Sequence, residues 1–579
     1  MNTSTDRAIV IDRRRGLPAL RTGYWQCLVA WIIIAALIVV LVAGVFVPVY
    51  GDEVAAIFMR GMFIANGWKL NTLLPQCGPE FLSGVPALLV PGAVTYDLVY
   101  SLATGPLFIR LAGILTALLW FGAAGALIIA QVRSQRLGCA MLASLASIVG
   151  LGVLPLTMVM MRSEQILLLL LTLFLAFPVV LRRDIGRENS WRLLILAAAF
   201  CLVVSIFCYT HPKALFFAPL ILISAWSLLG SRSKLVCAIV SAFAIGCLWQ
   251  TLQFAALLTK CGDAPALAKL LASNVMPLGG LVSSPRAFVV ELFNNIDAAP
   301  LAMLRHMVFA DQYQSAWLAP SAGLGNWDVA VRINQGIQYV TLLVFRVAFF
   351  LPPAVFLLKA LLRKLDGATW CLSALWIGLL GHLALYKAWN FYGAALMVPI
   401  AALLVMLCVA ALSTLGGDRL PRLVKSSMAL LPLPFYMLFL CSSALLLGNV
   451  LPQTIRSVNA ADIGLPDQGL SIPSFGYARQ RDRIRDFAEQ CHIRGDGARH
   501  LVVDNLTFFA FDGLREPLQS DYLYEHGFGV DLQGDALPRL LKRLGSQAVI
   551  AQCTIFPGAF AGKVHREGNL CCVDLSSSP

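Results

Sequence analysis

The sequence predicts a polytopic α-helical membrane protein of about eleven transmembrane helices, followed by a small C-terminal extracytoplasmic α/β domain. Three observations predict it. Of 579 residues, 59% are hydrophobic and only 13% are charged, whereas a soluble domain of this length is far richer in charge. Apolar runs near the ~20 residues that a helix needs to cross hydrocarbon recur between Trp25 and Val450. From residue 451 onward the chain is charged and Gly-containing and holds no such run.

The net charge of +13 sits in short basic clusters between apolar runs. That is the positive-inside pattern, which sets orientation and does not describe a nucleic-acid surface. Residues 1–24 read as a cytoplasmic tail with Arg13-Arg14-Arg15. The run after it lacks a small-residue cleavage site, so the first span (25–49) is expected to remain as an anchor. Outer loop 50–97 begins with Asp52 and Glu53, followed by Ala55, Ile57, Phe58, Met62 and Phe63 in an amphipathic pattern expected at the interface. Further spans are expected at 98–131, 137–160, 164–181, 193–209, 214–230 and 235–256. A second outer loop, 257–335, precedes spans at 336–362, 368–386, 393–414 and 426–450.

The connectors alternate in charge. Arg133/Arg136, Arg182/Arg183/Arg187/Arg192, Arg232/Lys234, Arg363/Lys364 and Arg419/Arg422/Lys425 fall on the N-terminal, cytoplasmic side. The turns carrying Arg162-Ser163-Glu164 and His211-Pro212-Lys213 are poorer in basic residues and fall outside. Residues 25–450 then form one transmembrane domain, and 451–579 a periplasmic one. In the latter, 481–491 and 537–544 have helical patterns, while 500–504, 547–551 and 570–574 read as strands. Cys77, Cys261, Cys491, Cys553, Cys571 and Cys572 fall outside, where disulfides form; pairing of Cys491 or Cys553 with Cys571 or Cys572 is expected, with connectivity open. Without partners at suitable spacing, Cys571-Cys572 is not a zinc motif.

The candidate chemistry gathers on the outer side. Asp52 has the character of a general base and Glu53 that of a partner carboxylate; equally, they suit the N-cap and first turn of a helix. Arg162, Glu164, His211 and Lys213 occupy the next outer turns, and Lys387, Asn390 and Tyr392 the turn Tyr386–Tyr392. Cations there suit a phosphate leaving group, which gains charge as it departs. Taken singly, Arg162–Glu164 reads as a surface pair, Lys213 and Lys387 as snorkelling side chains and His211 as a cap. Arg110 and Arg346 lie inside spans, where arginine is costly. Each is expected to bind a lipid phosphate, position a carboxylate or bond to a backbone carbonyl. A divalent cation on Asp52 and Glu53 is left open, with no further ligand evident.

These features resemble the GT-C superfamily of integral-membrane glycosyltransferases, in particular the group of the lipid A aminoarabinose transferases and protein O-mannosyltransferases. The resemblance rests on Gly51-Asp52-Glu53 outside the first span, Arg110-Leu111 in the second, and Arg162-Ser163-Glu164. A polar aromatic turn before a late span and a soluble outer domain also fit it. It implies inverting transfer of a monosaccharide from a polyprenyl-phosphate donor to a glycolipid, polysaccharide or protein, with Asp52 as base and Glu53 binding acceptor or donor. Arg162, His211, Lys213 and Lys387 would hold the lipid phosphate. The expected location is a bacterial inner membrane. A transporter would instead show repeats and midplane polar groups, and a glycan ligase or polymerase would place its chemistry in 257–335.

Overall fold

In the computed structural model, the structure describes residues 17–51, 53–54, 69–70, 85–86, 105–132, 134–180, 190–258, 269, 272–309, 328–387, 391–415, 432–460, 470–493, 500–511, 518–520, 536–556, 560 and 563–575. The expected interfacial helix after Glu53, the catalytic candidate Asp52, and Asn390, Cys77 and Cys261 lie outside these residues.

Helix α1 (Leu17–Ala43) ends in a 3-10 turn, Gly44–Phe46, and the chain straightens into strand β1 (Val49–Tyr50). Strands β2 (Lys69–Leu70) and β3 (Val85–Pro86) pair antiparallel. Helix α2 (Pro106–Gln131) starts on a proline at its first position, where the missing N–H costs nothing. The expected span 137–160 is broken into α3 (Gln135–Val149) and the short α4 (Leu154–Met158), with Pro155 in the first turn of the second piece. Then follow α5 (Ser163–Val180), α6 (Ser190–Thr210), a 3-10 turn at Pro212–Phe217, α7 (Ala218–Leu229) and α8 (Lys234–Leu258). Beyond them come α9 (Pro285–Leu304), α10 (Asp328–Leu361), α11 (Gly367–Leu385), α12 (Phe391–Leu415) and α13 (Pro432–Leu445). The last continues through a π segment, Leu446–Val450, into α14 (Leu451–Ala460), past the boundary expected at 450.

Among the described residues, 11 helices are long and apolar enough to cross a membrane, and α9 is one of them. Its bonds place it differently. Before it, Met276 N–H donates to Leu385 O (2.8 Å), at the end of α11; after it, Phe309 N–H donates to Asn334 Oδ1 (2.8 Å), at the start of α10. Asn295, near its middle, donates to Ala384 O (2.8 Å). Those ends of α10 and α11 share one face, so α9 lies across that face and does not thread the bundle. With α9 set aside and α3–α4 counted as one crossing, eleven crossings remain. The loop expected at 257–335 thus contains one long surface helix.

The C-terminal part builds a sheet whose order is β6-β5-β7-β9-β8, from β5 (Val502–Val503), β6 (Leu518–Gln519), β7 (Ala548–Gln552), β8 (His565–Glu567) and β9 (Leu570–Asp574). The pairs β5–β6 and β5–β7 are parallel, and β9 runs antiparallel to β7 and β8. Successive strand residues point to opposite faces, so Val502 and Val549 meet Leu537, Leu540, Leu541 and Leu544 of the helix Ala536–Leu544 on one side. On the other side Val503, Ile550 and Cys572 join Ile484 and Phe487 of the helix Tyr477–Glu489. That second core is continuous with the helical bundle. The connection also runs through the backbone: strand β4 (Leu470–Ile472) pairs antiparallel with β1, and Phe475 packs tilted against Phe46 at 5.2 Å.

Cys491 is bonded to Cys572 and Cys553 to Cys571, which settles the connectivity left open by the sequence. The first closes a loop of 81 residues, and chain entropy assigns such a crosslink about 4 kcal/mol. Replacing Cys491 and Cys572 by Ser is therefore expected to speed amide hydrogen exchange in β5, β7 and β9 by several hundredfold, leaving the spans unchanged. Unchanged exchange would mean that packing alone holds the sheet.

Candidate active site

Two clusters, joined through one backbone bond, occupy the face on which α9 lies. The first is built on Arg110, one turn into α2 and fully buried. A guanidinium has five N–H groups, and here all five find acceptors. Nε donates to Val47 O (3.0 Å), Nη1 to Val159 O (3.0 Å) and Glu53 Oε1 (3.1 Å), and Nη2 to Pro48 O (2.9 Å) and Glu53 Oε2 (2.8 Å). Glu53 is equally occupied. Beyond the bidentate arginine, Oε1 accepts the Met161 N–H (2.5 Å) and Oε2 the Tyr50 N–H (2.9 Å). A carboxylate offers about four lone-pair sites, and these contacts use them all.

Gly113, one turn after Arg110, allows this approach. A Cβ at that position would lie 1.9 Å from Val159 O, the carbonyl that Arg110 binds. Arg110 thus positions a carboxylate and bonds to carbonyls, two of the roles the sequence left open. For Glu53 the geometry departs from the sequence expectation: its oxygens face Arg110 and the backbone, leaving none for an acceptor or donor.

The second cluster begins one residue after Met161. Arg162 leads into α5, whose first turn carries Glu164, a favourable place for a negative charge beside the helix N-terminus. Ser163 Oγ donates to Glu164 Oε2 (3.0 Å), and Arg162 Nε stands 3.9 Å from the same oxygen. Lys213 Nζ pairs with Glu164 Oε1, both side chains almost wholly buried. Lys213 is turned inward because His211 begins the 3-10 turn: its Nδ1 accepts the Lys213 N–H at 3.0 Å. His211 does act as a cap, within the cluster.

The helix ends opposite supply aromatic faces. Arg162 Cζ lies 4.3 Å from the Tyr392 ring centroid, while Lys213 Nζ lies 4.9 Å from Tyr386 and 5.9 Å from Tyr392. Such faces attract cations most where water is excluded. His382, fully buried one turn before Tyr386, packs edge-on to Phe216 at 4.9 Å and tilted to Tyr386 at 5.0 Å. Burial first, and then the Lys213 charge, push the His211 imidazole down to about 3, against the opposing pull of Glu164. With His211 neutral at physiological pH, Arg162 and Lys213 face a single carboxylate, and the cluster keeps a positive charge suited to an anion.

The structure therefore joins Arg162, Glu164, His211, Lys213 and Tyr392, and adds Tyr386 and His382, which the sequence reading did not select. Tyr386 opened the polar aromatic turn it noted, and His382, four residues earlier in an apolar helix, falls on the same side. Two candidates stand apart from the cluster. Lys387 pairs with Glu291 of α9 at the surface, and its N–H donates to Asn274 O (2.9 Å). Arg346 is exposed on α10 and enters none of the contacts that join the cluster. Among the described residues no group of three or more His, Cys, Asp or Glu has metal-ligand geometry.

No protein-family profile and no curated protein matches the sequence. Among solved structures, the chain is similar to the archaeal oligosaccharyltransferase AglB from Archaeoglobus fulgidus, in complex with an inhibitory peptide and a dolichol-phosphate, at 10% identity and a TM-score of 0.43. That alignment covers 92% of this chain and 70% of AglB. It is also similar to ArnT from Cupriavidus metallidurans bound to undecaprenyl phosphate, at 12% identity and a TM-score of 0.41, covering 96% of this chain and 99% of ArnT.

Removing one partner of a buried, fully bonded ion pair leaves the other uncompensated, at a cost of about 3–5 kcal/mol. Arg110→Leu is expected to show that loss in thermal denaturation of the solubilised protein, and Arg110→Leu with Glu53→Leu to recover much of it. A double-variant loss equal to the sum of the two single losses would show that the pair is not coupled. For His211, the folded state resists a proton that the unfolded chain binds below its ordinary value of 6.5. Its contribution is full above that pH and is lost as pH falls toward about 3. His211→Asn should flatten the acid loss of stability over that window by about 1 kcal/mol per pH unit at most, since the residue keeps some exposure to solvent.

Proposed function

We propose that the chain is a GT-C-type membrane glycosyltransferase. It would transfer a monosaccharide from a polyprenyl-phosphate donor to a glycolipid, polysaccharide or protein on the outer face of a bacterial inner membrane, with inversion. One observation carries this reading. The Met161 N–H bonds to Glu53, so the residue after Asp52 is tied to the residue before Arg162. The residue that follows the sequence's best candidate base is thereby held beside the cation cluster, which supports the reading.

In this reading Asp52 takes the proton from the acceptor hydroxyl or amine as the new bond to the anomeric carbon forms. Arg162 and Lys213 bind the donor phosphate and stabilise the charge it gains as the glycosidic bond breaks. Glu164 holds both cations in place, and Tyr386 and Tyr392 lay their ring faces against them. Glu53 and Arg110 fix the turn that carries the base. Asn390 remains a candidate for substrate binding from the turn between Tyr386 and Tyr392. The basic connectors support a cytoplasmic N-terminus, and with it a site and a disulfide-bonded domain that face the periplasm.

The test offers a panel of labelled polyprenyl-phosphate sugars to wild type and to Asp52→Ala, with folding confirmed in both. Turnover by wild type that the variant lacks is the expected result; equal turnover removes Asp52 as base. No turnover across the panel would favour a transporter. Arg162→Met and Lys213→Met should each raise the donor KM about 10–100-fold, the worth of a lost charged hydrogen bond.

A further inference from the structure

Helix α9 is packed along only half of its length. Ala299, Met303 and Leu304 join the core of the bundle, whereas before Asn295 the helix buries Phe288 alone, outside that core. Spacings of four and seven put Val289, Phe293, Pro300 and Leu304 on one strip of the helix. Pro300 and Leu304 are buried, but on the same strip Val289 and Phe293 are 43% and 68% exposed. Val290 beside them is exposed as well, as are Leu281 and Val282 in the short helix Gly280–Ser283 that leads into α9. A second exposed strip, Ala287, Asn294 and Ala298, is small or polar. The free half of α9 is therefore amphipathic on its open side, with one apolar edge and one wettable edge.

What the apolar edge meets is fixed by where this lobe is rooted. The chain leaves at Met276, whose N–H donates to Leu385 O (2.8 Å), beside the bond from the Lys387 N–H to Asn274 O (2.9 Å). It returns at Asn295, whose side-chain amide donates to Ala384 O (2.8 Å). Both ends of the lobe are thus held at one end of α11. Trp370 and Ile377 are exposed on that crossing helix and mark its lipid-facing side. Ala384, seven residues beyond Ile377, continues the same side, and there α9 bonds to it. The helix leaves the bundle over its lipid-facing wall, and the part before Asn295 is about 15 Å long at 1.5 Å per residue.

We propose that residues 278–294 form an interfacial lobe seated in the bilayer leaflet beside Leu385. Val289, Val290 and Phe293 enter the boundary between headgroups and acyl chains, about 5–10 Å deep, while Ala287, Asn294 and Ala298 face water. Arg286, seven residues before Phe293, shares the apolar edge. Its stem lies among those side chains and its guanidinium meets lipid phosphate. Seating of the lobe bears on the candidate site, because Val275 bridges Tyr386, whose ring faces Lys213 at 4.9 Å. The proposal needs no sugar donor and goes beyond the glycosyltransferase reading.

The test uses the full chain in liposomes of phosphatidylethanolamine and phosphatidylglycerol, with single photoreactive substitutions. Val282→benzoylphenylalanine, Val290→benzoylphenylalanine and Phe293→benzoylphenylalanine probe the apolar surface; the same label at Ala287 and Ala298 probes the other strip. All five positions are exposed, and three on the apolar surface keep the result readable if one variant does not fold. After irradiation, phospholipid adducts read by mass spectrometry should be about tenfold more abundant at Val282, Val290 and Phe293 than at Ala287 and Ala298. Absence of phospholipid adducts at Val290 and Phe293 overturns the proposal, and so does a crosslink there to a second copy of the chain. Equal adducts at all five positions overturn it too, since the helix would then be immersed on every side, as a span is.

Discussion

The buried bond between Arg110 and Glu53 is the constraint on which the face above it depends. Placing a guanidinium and a carboxylate out of water costs several kcal/mol per ion, and mutual attraction offsets this only when every remaining donor and acceptor is also satisfied. Here they are. The acceptors come from Val47, Pro48 and Val159, and the extra donors from Tyr50 and Met161, so one ion pair ties the end of the first span, the second span and the turn before the fourth crossing. Its value lies less in net stability than in exclusion of other arrangements, since any shift of one segment strands a charge.

The neighbouring cluster follows a different logic. Arg162 and Lys213 carry like charge and are held close by Glu164 and by the faces of Tyr386 and Tyr392. Glu164 occupies the place that an incoming anion would seek, so binding there is an exchange of one anion for another. The aromatic faces matter in that exchange because they attract cations without bonding to them covalently or neutralising them.

Much of the architecture was legible because the bilayer imposes a single length and a charge rule on the sequence. Where those rules lapse, the reading slipped. The α9 helix has the length and hydropathy of a span, yet the less apolar loop around it and its bonds to α10 and α11 lay it on the surface. The span at 137–160 was found, but not its break before Pro155. In the site, residues adjacent to a turn were found by position: Arg162, Glu164, His211 and Lys213 come together as their placement implied. Arg346 and Lys387 did not join them, because hydropathy reports depth in the membrane and not rotation about the helix, and because Glu291 supplied Lys387 with a nearer partner. His382 carried no signal of its own, as a lone histidine in an apolar helix reads as core.

The β1–β4 pairing gives the protein an order of assembly in time. Strand β1 emerges with the first span, but its partner lies roughly 400 residues later, a delay of about 20–80 s at ordinary rates of synthesis. During that interval β1 has an open strand edge. The membrane helices can insert one after another, yet this pairing waits until Leu470–Ile472 has been made. Whatever protects the unpaired edge in the meantime belongs to the biogenesis of the chain as much as the disulfides do.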